Sequence, residues 1–282
     1  MERVHKTSVG NVELVALQDT WLSPAVGDFF AEATPEALAP YRDLVSATDK
    51  LTVSITPWLL RSEGRTILVD TGMGGRTVAA ALERPAALPE VLREAGVAPE
   101  AVDIVAFTHL HGDHVGWNTV DRQGRAVPLF PNARYVVQRA EWEYWAGGAT
   151  GSEPNRATVL DPITAAGLWE FVEGESALTA EVVTVPTPGH TPGHVSVVVS
   201  SGGESALLIG DAAHSPIQVS EPEWCIGADV DKRLARQTRA ALWARAEREG
   251  LLVGTNHFPF PGLGRVVSED GVRRWEGVES VS

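Results

Sequence analysis

The stretch VDIVAFTHLHGDHVG, Val102 to Gly116, makes two demands on any fold that contains it. Its first half is a run of branched and apolar residues bounded by polar ones, which reads as a buried strand. Its second half crowds His109, His111, Asp113 and His114 into the loop that follows. The chain must therefore bury a strand while opening its end toward something polar.

The spacing says what that something is. His109 and His111 are two apart, so in an extended segment both side chains leave the same face and can grip one metal. Asp113 and His114 lie past the bend at Gly112 and can point to a second. Imidazole nitrogens and carboxylate oxygens suit Zn(II), and also Mn, Co or Fe, so the donor set alone does not choose the metal.

Around this loop, short apolar runs recur along both halves. They are Val12 to Leu17, Val53 to Leu60, Thr66 to Val69, Val102 to Phe107, Arg134 to Val137, Val182 to Val185, Val195 to Val199, Ala206 to Ile209 and Leu251 to Gly254. Helical patterns lie between them. Leu88, Val91, Leu92 and Ala95 repeat at helical spacing before a stop at Gly96. A longer helix is expected from about Asp231 to Glu249, with Leu234, Thr238, Ala241, Leu242 and Ala246 on its inner face, Arg and Glu outside, and Gly250 closing it.

Strands interspersed with helices and no polar linker argue for one α/β unit, and 282 residues with 44% hydrophobic content suffice for its core. Two stretches are irregular, Ser23 to Lys50 and Gly147 to Asp161, and are expected to shape or cover a site.

Charge and composition narrow the partners. Lys and Arg total 23 against 37 Asp and Glu, a formal charge of -14, which repels a polyphosphate backbone and weighs against nucleic acid. No apolar stretch has the length of a membrane span, and the first residues lack the pattern of a signal peptide, so a cytoplasmic protein with no membrane partner is expected. The single cysteine, Cys225, reads as a small buried hydrophobe.

Further candidate ligands follow other strands: His190 after VVTV, Asp211 after LLIG and His257 after LLVGT. Loops at strand ends are where sites gather in layered α/β folds. Taken in order, THLHGDHVG, TPGHTPGH, LLIGDAAH and GTNHFPFPG resemble the motifs of the metallo-β-lactamase superfamily. The resemblance runs from VDTG, Val69 to Gly72, through His257, and implies that residues 1–282 form a single domain. The implied fold is a four-layer αββα sandwich of two pseudo-symmetric halves with a dinuclear metal site at one edge. Residue by residue, it implies that His109, His111 and His190 hold one metal, that Asp113, His114 and His257 hold the other, and that Asp211 bridges both. Asp70 in VDTG would hydrogen-bond a ligand histidine.

Two cations sharing a carboxylate and a water lower that water's pKa, so the implied nucleophile is a bridging hydroxide, with Asp113 orienting it or moving a proton. The motifs also discriminate among branches. Asp211 is absent from the true β-lactamases of the superfamily. Glyoxalase II-like thioesterases carry a C-terminal helical domain, for which the residues after His257 are too few. Nucleic-acid-processing members add an insertion and a basic surface, and flavin-linked di-iron members replace the position of His111 with glutamate.

The tail of the pattern, GDAAHSPIQVSEPEW followed by NHFPFPGLG, most resembles the branch of methyl parathion hydrolase, arylesterases and lactonases. That implies a hydrolase for a hydrophobic carboxylic ester or lactone, with phosphotriesters as a further class. A glyoxalase II-like thioesterase, a mononuclear iron persulfide dioxygenase and a non-catalytic metal-binding module are the rival readings. Acyl-homoserine lactonases of a neighbouring branch carry a tyrosine three residues after the bridging aspartate, where this chain has His214. The departure weighs against that substrate, although a histidine can donate a similar hydrogen bond to substrate or support the site from behind.

Trp117, Trp224 and Phe258 flank the motifs and are expected to wall the substrate pocket. The branch commonly forms dimers, and Ser23 to Lys50 is the segment expected to pack on a second subunit. Within TPGHTPGH, His190 ends a strand and enters the turn while His194 begins the next strand, and the resemblance implies that His190 takes the metal and His194 is a structural or supporting hydrogen-bonding residue. His190→Ala is expected to lose metal and activity, and His194→Ala mainly stability. Metal analysis and thermal denaturation of the two variants check this, and the reverse result would overturn the assignment.

Overall fold

A computed structural model of the chain describes residues 2–75, 82–148 and 155–278. Two seven-stranded sheets run through it in simple chain order. The first comprises β1 (Val4–Val9), β2 (Val12–Leu17), β3 (Trp58–Ser62), β4 (Arg65–Val69), β5 (Ile104–Ala106), β6 (Arg134–Gln138) and β7 (Trp169–Val172). The second comprises β8 (Ser176–Ala177), β9 (Val182–Pro186), β10 (Val195–Ser201), β11 (Glu204–Leu208), β12 (Leu252–Gly254), β13 (Leu263–Glu269) and β14 (Val272–Gly277). Each half opens as an antiparallel meander and then makes a parallel step, β4 to β5 and β11 to β12.

Those parallel steps need crossovers, and helices supply them: Leu88–Glu94 in the first half and Lys232–Glu249 in the second. Side chains alternate along each strand, which sorts the apolar residues into layers. Leu14, Ala16, Trp58, Leu60, Ile67 and Val69 meet Val197, Val199, Ala206 and Leu208 of the other sheet in the central core. Their neighbours Val15, Leu17, Leu59 and Leu68 face outward onto Leu88, Val91 and Leu92. Leu207 and Val253 likewise face Leu242, Trp243 and Ala246 of the long helix. The result is the αββα sandwich.

The long helix is punctuated as its sequence demands. The Asp231 carboxylate accepts the Leu234 N–H at 2.9 Å, and Gly250 adopts the left-handed conformation at φ 61° that ends it. Its buried face differs from the expected one, consisting of Ala235, Arg239, Leu242, Trp243 and Ala246, while Ala241 is exposed. The rotation seats the Trp243 indole in the core and carries Arg239 inward. That guanidinium is satisfied by the carbonyls of Ala212, Pro222 and Trp224 at 2.6–2.7 Å, so its charge is solvated by peptide groups instead of water.

One other expectation is corrected. The run Val53 to Leu60 is not one strand. Pro57 lacks an N–H and breaks it, leaving Val53–Ile55 to pair with Thr20–Leu22 as a separate ribbon while β3 joins the first sheet. In the segment Ser23 to Lys50, Val26, Phe30 and Leu38 bury against Ile217, Trp224 and Ile226 of this chain. Of Gly147 to Asp161, residues 149–154 lie outside the described residues, and Arg156–Val159 is a short helix. Among the described residues, no helix is long and apolar enough to cross a membrane. Asp231→Ala is expected to cost about 1 kcal/mol of stability through loss of the helix cap, measured by urea denaturation of the full chain.

Candidate metal centre

The ends of β4, β5, β9, β11 and β12 lead into loops that meet at one edge of the sandwich. They carry Asp70, His109 to His114, His190, Asp211 and His257 respectively. Three nitrogens come together first: His111 Nδ1 lies 2.9 Å from His109 Nε2 and 3.0 Å from His190 Nε2. Asp211 Oδ2 faces this trio, 3.3 Å from His190 Nε2 and 3.6 Å from His109 Nε2. Its other oxygen faces a second group. Asp211 Oδ1 lies 3.2 Å from His114 Nε2 and 3.0 Å from His257 Nε2, and Asp113 Oδ2 is 3.7 Å from each of those nitrogens. The seven residues expected from the motifs thus converge, split into two basins by one carboxylate.

The outward sides of the rings explain the inward geometry. His114 Nδ1 donates to Asp70 at 2.9 Å, His257 Nδ1 to the Ser54 carbonyl at 2.8 Å and His190 Nδ1 to Asp229 at 2.8 Å. His109 Nδ1 donates to the Thr108 hydroxyl, which passes its own proton to Asp70. With each outer nitrogen protonated, Nε2 is the position these rings leave for an added proton or a metal ion. His111 is the exception: it turns Nδ1 inward, and its ring packs edge-on to Trp145 at 5.4 Å.

This donor set fits a pair of divalent cations. Facing lone pairs on His114 and His257, 3.3 Å apart, repel one another unless a proton or cation lies between them. The buried Asp211 Oδ1 also has no hydrogen-bond partner among the described residues. Nitrogen and carboxylate donors in two groups of three or four suit zinc and similar transition metals. Burial, reinforced by the neighbouring His190, drives His111 down to about 3, so this ring is neutral and free to donate its lone pair. Burial also lowers His190, but its bonds to Asp211 and Asp229 overcome this and raise it to about 9.

Asp70 is fixed in the left-handed region at φ 61°, an unusual conformation for a residue with a side chain. Four donors hold it there: the Thr108 N–H and hydroxyl, His114 Nδ1 and Asn256 Nδ2. His194 also lies where support was expected. Its Nε2 accepts the Asp211 N–H at 3.0 Å, so a His194→Ala variant loses grip on Asp211 as well as stability. The two glycines of TPGHTPGH have separate uses. A methyl at Gly189 would overlap Ala235 at the start of the long helix, and one at Gly193 would overlap the backbone of Glu141.

His214 lies against the dividing carboxylate, its Nε2 3.2 Å from Asp211 Oδ2 and its ring stacked on His257 at 5.3 Å. Burial lowers it to about 4, and its Nδ1 has no partner among the described residues. The pocket expectations fare less well. Phe258 turns from the site and is fully buried against Trp275 in the outer core of the second sheet, because successive residues past a strand point to opposite faces. Trp224 is covered by Phe30 and Tyr41. Trp117 is drawn to Asp19 by a 3.1 Å hydrogen bond from its Nε1. Among the described residues, the aromatic rings that touch the histidines are Trp145, on His111, and Phe29, edge-on to His214 at 6.0 Å.

Asp229 and Arg239 were not legible in the sequence. Arg239 Nη2 lies 3.5 Å from Asp229 Oδ2, so a buried cation backs the carboxylate that orients His190. Asp229→Asn is expected to weaken the binding of one of two cations about 10- to 100-fold, read by titrating metal-free protein. Because His190 of the metal-free chain stays protonated up to about pH 9, cation uptake at pH 7 must expel that proton, and affinity must fall as pH falls. The same raised pKa contributes stability to the metal-free chain below pH 6.5 that is lost as pH rises toward 9. Calorimetry in two buffers of different ionisation enthalpy measures the proton release.

With this geometry in hand, comparison with known proteins is direct. Among curated proteins, an N-acyl homoserine lactonase of Azorhizobium caulinodans is 32% identical over 176 residues, 58% of this chain and 61% of the relative. One of Rhizobium radiobacter is 31% identical over 48% of this chain and 50% of the relative. The chain thus matches one half to three fifths of the length of these relatives. Among solved structures, a hydrolase of the β-lactamase superfamily, AbOPH, superposes with a TM-score of 0.84 at 26% identity, covering 100% of this chain and 99% of that one. The dizinc quorum-quenching lactonase AidC gives 0.85 at 24% identity, covering 99% and 98%, a likeness of fold. A model of the metallo-β-lactamase superfamily matches residues 52–257, and with two sheets, crossover helices and strand-end motifs all in order, the chain belongs to that superfamily.

Proposed function

We propose that the protein is a dinuclear metal-dependent hydrolase that opens a lactone ring, with N-acyl homoserine lactones as the leading substrate class. The observation that carries this reading is Asp211, one carboxylate set between two groups of buried nitrogen and oxygen donors. The curated relatives support the substrate class, since those described above are N-acyl homoserine lactonases. They outweigh the departure at His214, since a histidine can donate a hydrogen bond similar to that of the tyrosine in that branch.

The proposed ligands are His109, His111 and His190 for one cation, and Asp113, His114 and His257 for the other. Asp211 is shared, and zinc is the first choice of metal. When bound, two such cations supply Lewis acidity, lowering the pKa of water and polarising an ester carbonyl. The chain's own groups do the rest. Asp113, whose side chain is 26% exposed, is the most accessible member of the set, and its carboxylate is proposed to take the proton of the attacking water and deliver it to the leaving alkoxide oxygen. His214, neutral at pH 7, carries one N–H, which bonds Asp211 Oδ2 in the metal-free chain and is proposed to turn to the substrate's carbonyl oxygen when substrate binds. Phe29, half-buried and edge-on to His214, offers apolar surface beside the site for an acyl chain or aryl group, which supports hydrophobic esters and phosphotriesters as secondary substrates.

In the same reading the protein works in the cytoplasm, as a homodimer, on a diffusible small molecule. The net charge of -14 supports a partner other than nucleic acid. A panel of acyl homoserine lactones, simple lactones, aryl esters, a thioester and a phosphotriester tests the proposal. Lactone turnover should dominate, vanish on chelation and be lost in Asp211→Ala. Turnover retained in that variant, or oxygen consumption on a persulfide with one metal per chain, would sink it.

A further inference from the structure

Glu141 lies in the first turn of the helix Arg139–Ala146, which follows β6, and nothing in the site as described uses it. It is fully buried, yet among the described residues no lysine, arginine or histidine pairs with its carboxylate. A buried carboxylate without a cation must be held by N–H donors, and three hold this one. Oε1 accepts the Leu110 N–H at 3.0 Å and Trp145 Nε1–H at 2.8 Å, and Oε2 accepts the Gly193 N–H at 3.1 Å.

The three donors share a property. Leu110 is the residue between His109 and His111. Trp145 packs its indole on the ring of His111, the histidine that turns Nδ1 inward, and the bond to Oε1 fixes the plane of that indole. Gly193 belongs to the TPGHTPGH turn that carries His190, and it has to be glycine because the backbone of Glu141 lies where a methyl would go. Each contact of the carboxylate therefore reaches one or two members of the same trio. Two of those histidines come from the first half of the chain and one from the second, so the carboxylate ties the halves together at that trio.

We infer that Glu141 is a positioning residue for the His109, His111 and His190 subsite, fixing the two ligand loops and the Trp145 ring at the spacing one cation requires. The group containing Asp113, His114 and His257 has its own supports, Asp70 and the Ser54 carbonyl, and receives nothing from Glu141. The negative charge also favours a cation in its neighbourhood over an empty trio. The inference rests on the reading that this cluster holds two metal ions.

The substitution Glu141→Gln keeps the shape of the side chain and replaces one acceptor oxygen with a donor, which opposes either the Gly193 N–H or the Leu110 and Trp145 pair. The test titrates full-length metal-free protein with cobalt(II) alone, followed by its visible absorption, in three backgrounds. In the otherwise native chain, Glu141→Gln is expected to leave one site unchanged and weaken the other about 10- to 100-fold. In a His257→Ala chain the remaining site should weaken by the same factor, and in a His190→Ala chain the substitution should change nothing. Trp145→Phe keeps a ring on His111, removes one donor and should weaken the same site by a smaller factor, which keeps the inference testable if Glu141→Gln fails to fold. Equal weakening of both sites, or no weakening of either with Trp145→Phe also silent, overturns the role of Glu141. A native chain that binds no cobalt overturns instead the metal reading on which it stands.

Discussion

Everything at this edge of the molecule depends on withdrawing Asp211 from water with both of its oxygens committed. Oδ2 faces the nitrogens of His109 and His190, and Oδ1 faces those of His114 and His257, all at 3.0–3.6 Å. Lone pairs and negative charge concentrated in a buried space are costly unless positive charge joins them. In the metal-free chain protons fill that need, which is why His190 is raised despite its burial. Replacing the protons by two cations satisfies the same demand and turns a costly arrangement into a reactive one.

The sandwich exists, in this view, to hold those donors against their mutual repulsion. Parallel steps in each sheet bring strand ends to the same edge, and each ring is then pinned from outside. Asp70, itself held by four donors in a strained conformation, pins His114. Asp229, backed by the buried Arg239, pins His190. Arg239 also clamps three carbonyls of the segment from Ala212 to Trp224, and Thr238 donates to the Pro188 carbonyl, so the long helix of the second half reaches the loops of the site through both side chains. Glu141 performs the matching service between the halves.

How much of this was legible follows from range. Four of the proposed ligands were readable because they share one loop, whereas His190, Asp211 and His257 follow separate strands and were joined to them by the resemblance of the motifs, since spacing alone does not bring distant loops together. Asp70 and His194 were readable through the motifs they sit in. Asp229, Arg239 and Glu141 were not, because a single charged residue in a loop or on a helix looks like ordinary surface until the fold turns it inward. The long helix shows the failure plainly: its pattern of small residues admits two rotations, and only the seat of Trp243 decides that Arg239 points to the core. The pocket aromatics failed for a related reason. Sequence proximity to His257 says nothing of which side of the backbone Phe258 leaves, whereas Phe29, far away in sequence, is brought to His214 by an irregular segment.

The central claim is that two cations held around Asp211 are what make this site hydrolytic. The most direct measurement is a titration of metal-free protein with zinc, recording lactone hydrolysis against the number of equivalents bound. The account predicts no turnover without metal, a rise that completes at two equivalents per chain, and the same stoichiometry by elemental analysis of the active protein. Full activity at one equivalent, or activity indifferent to metal, would contradict it.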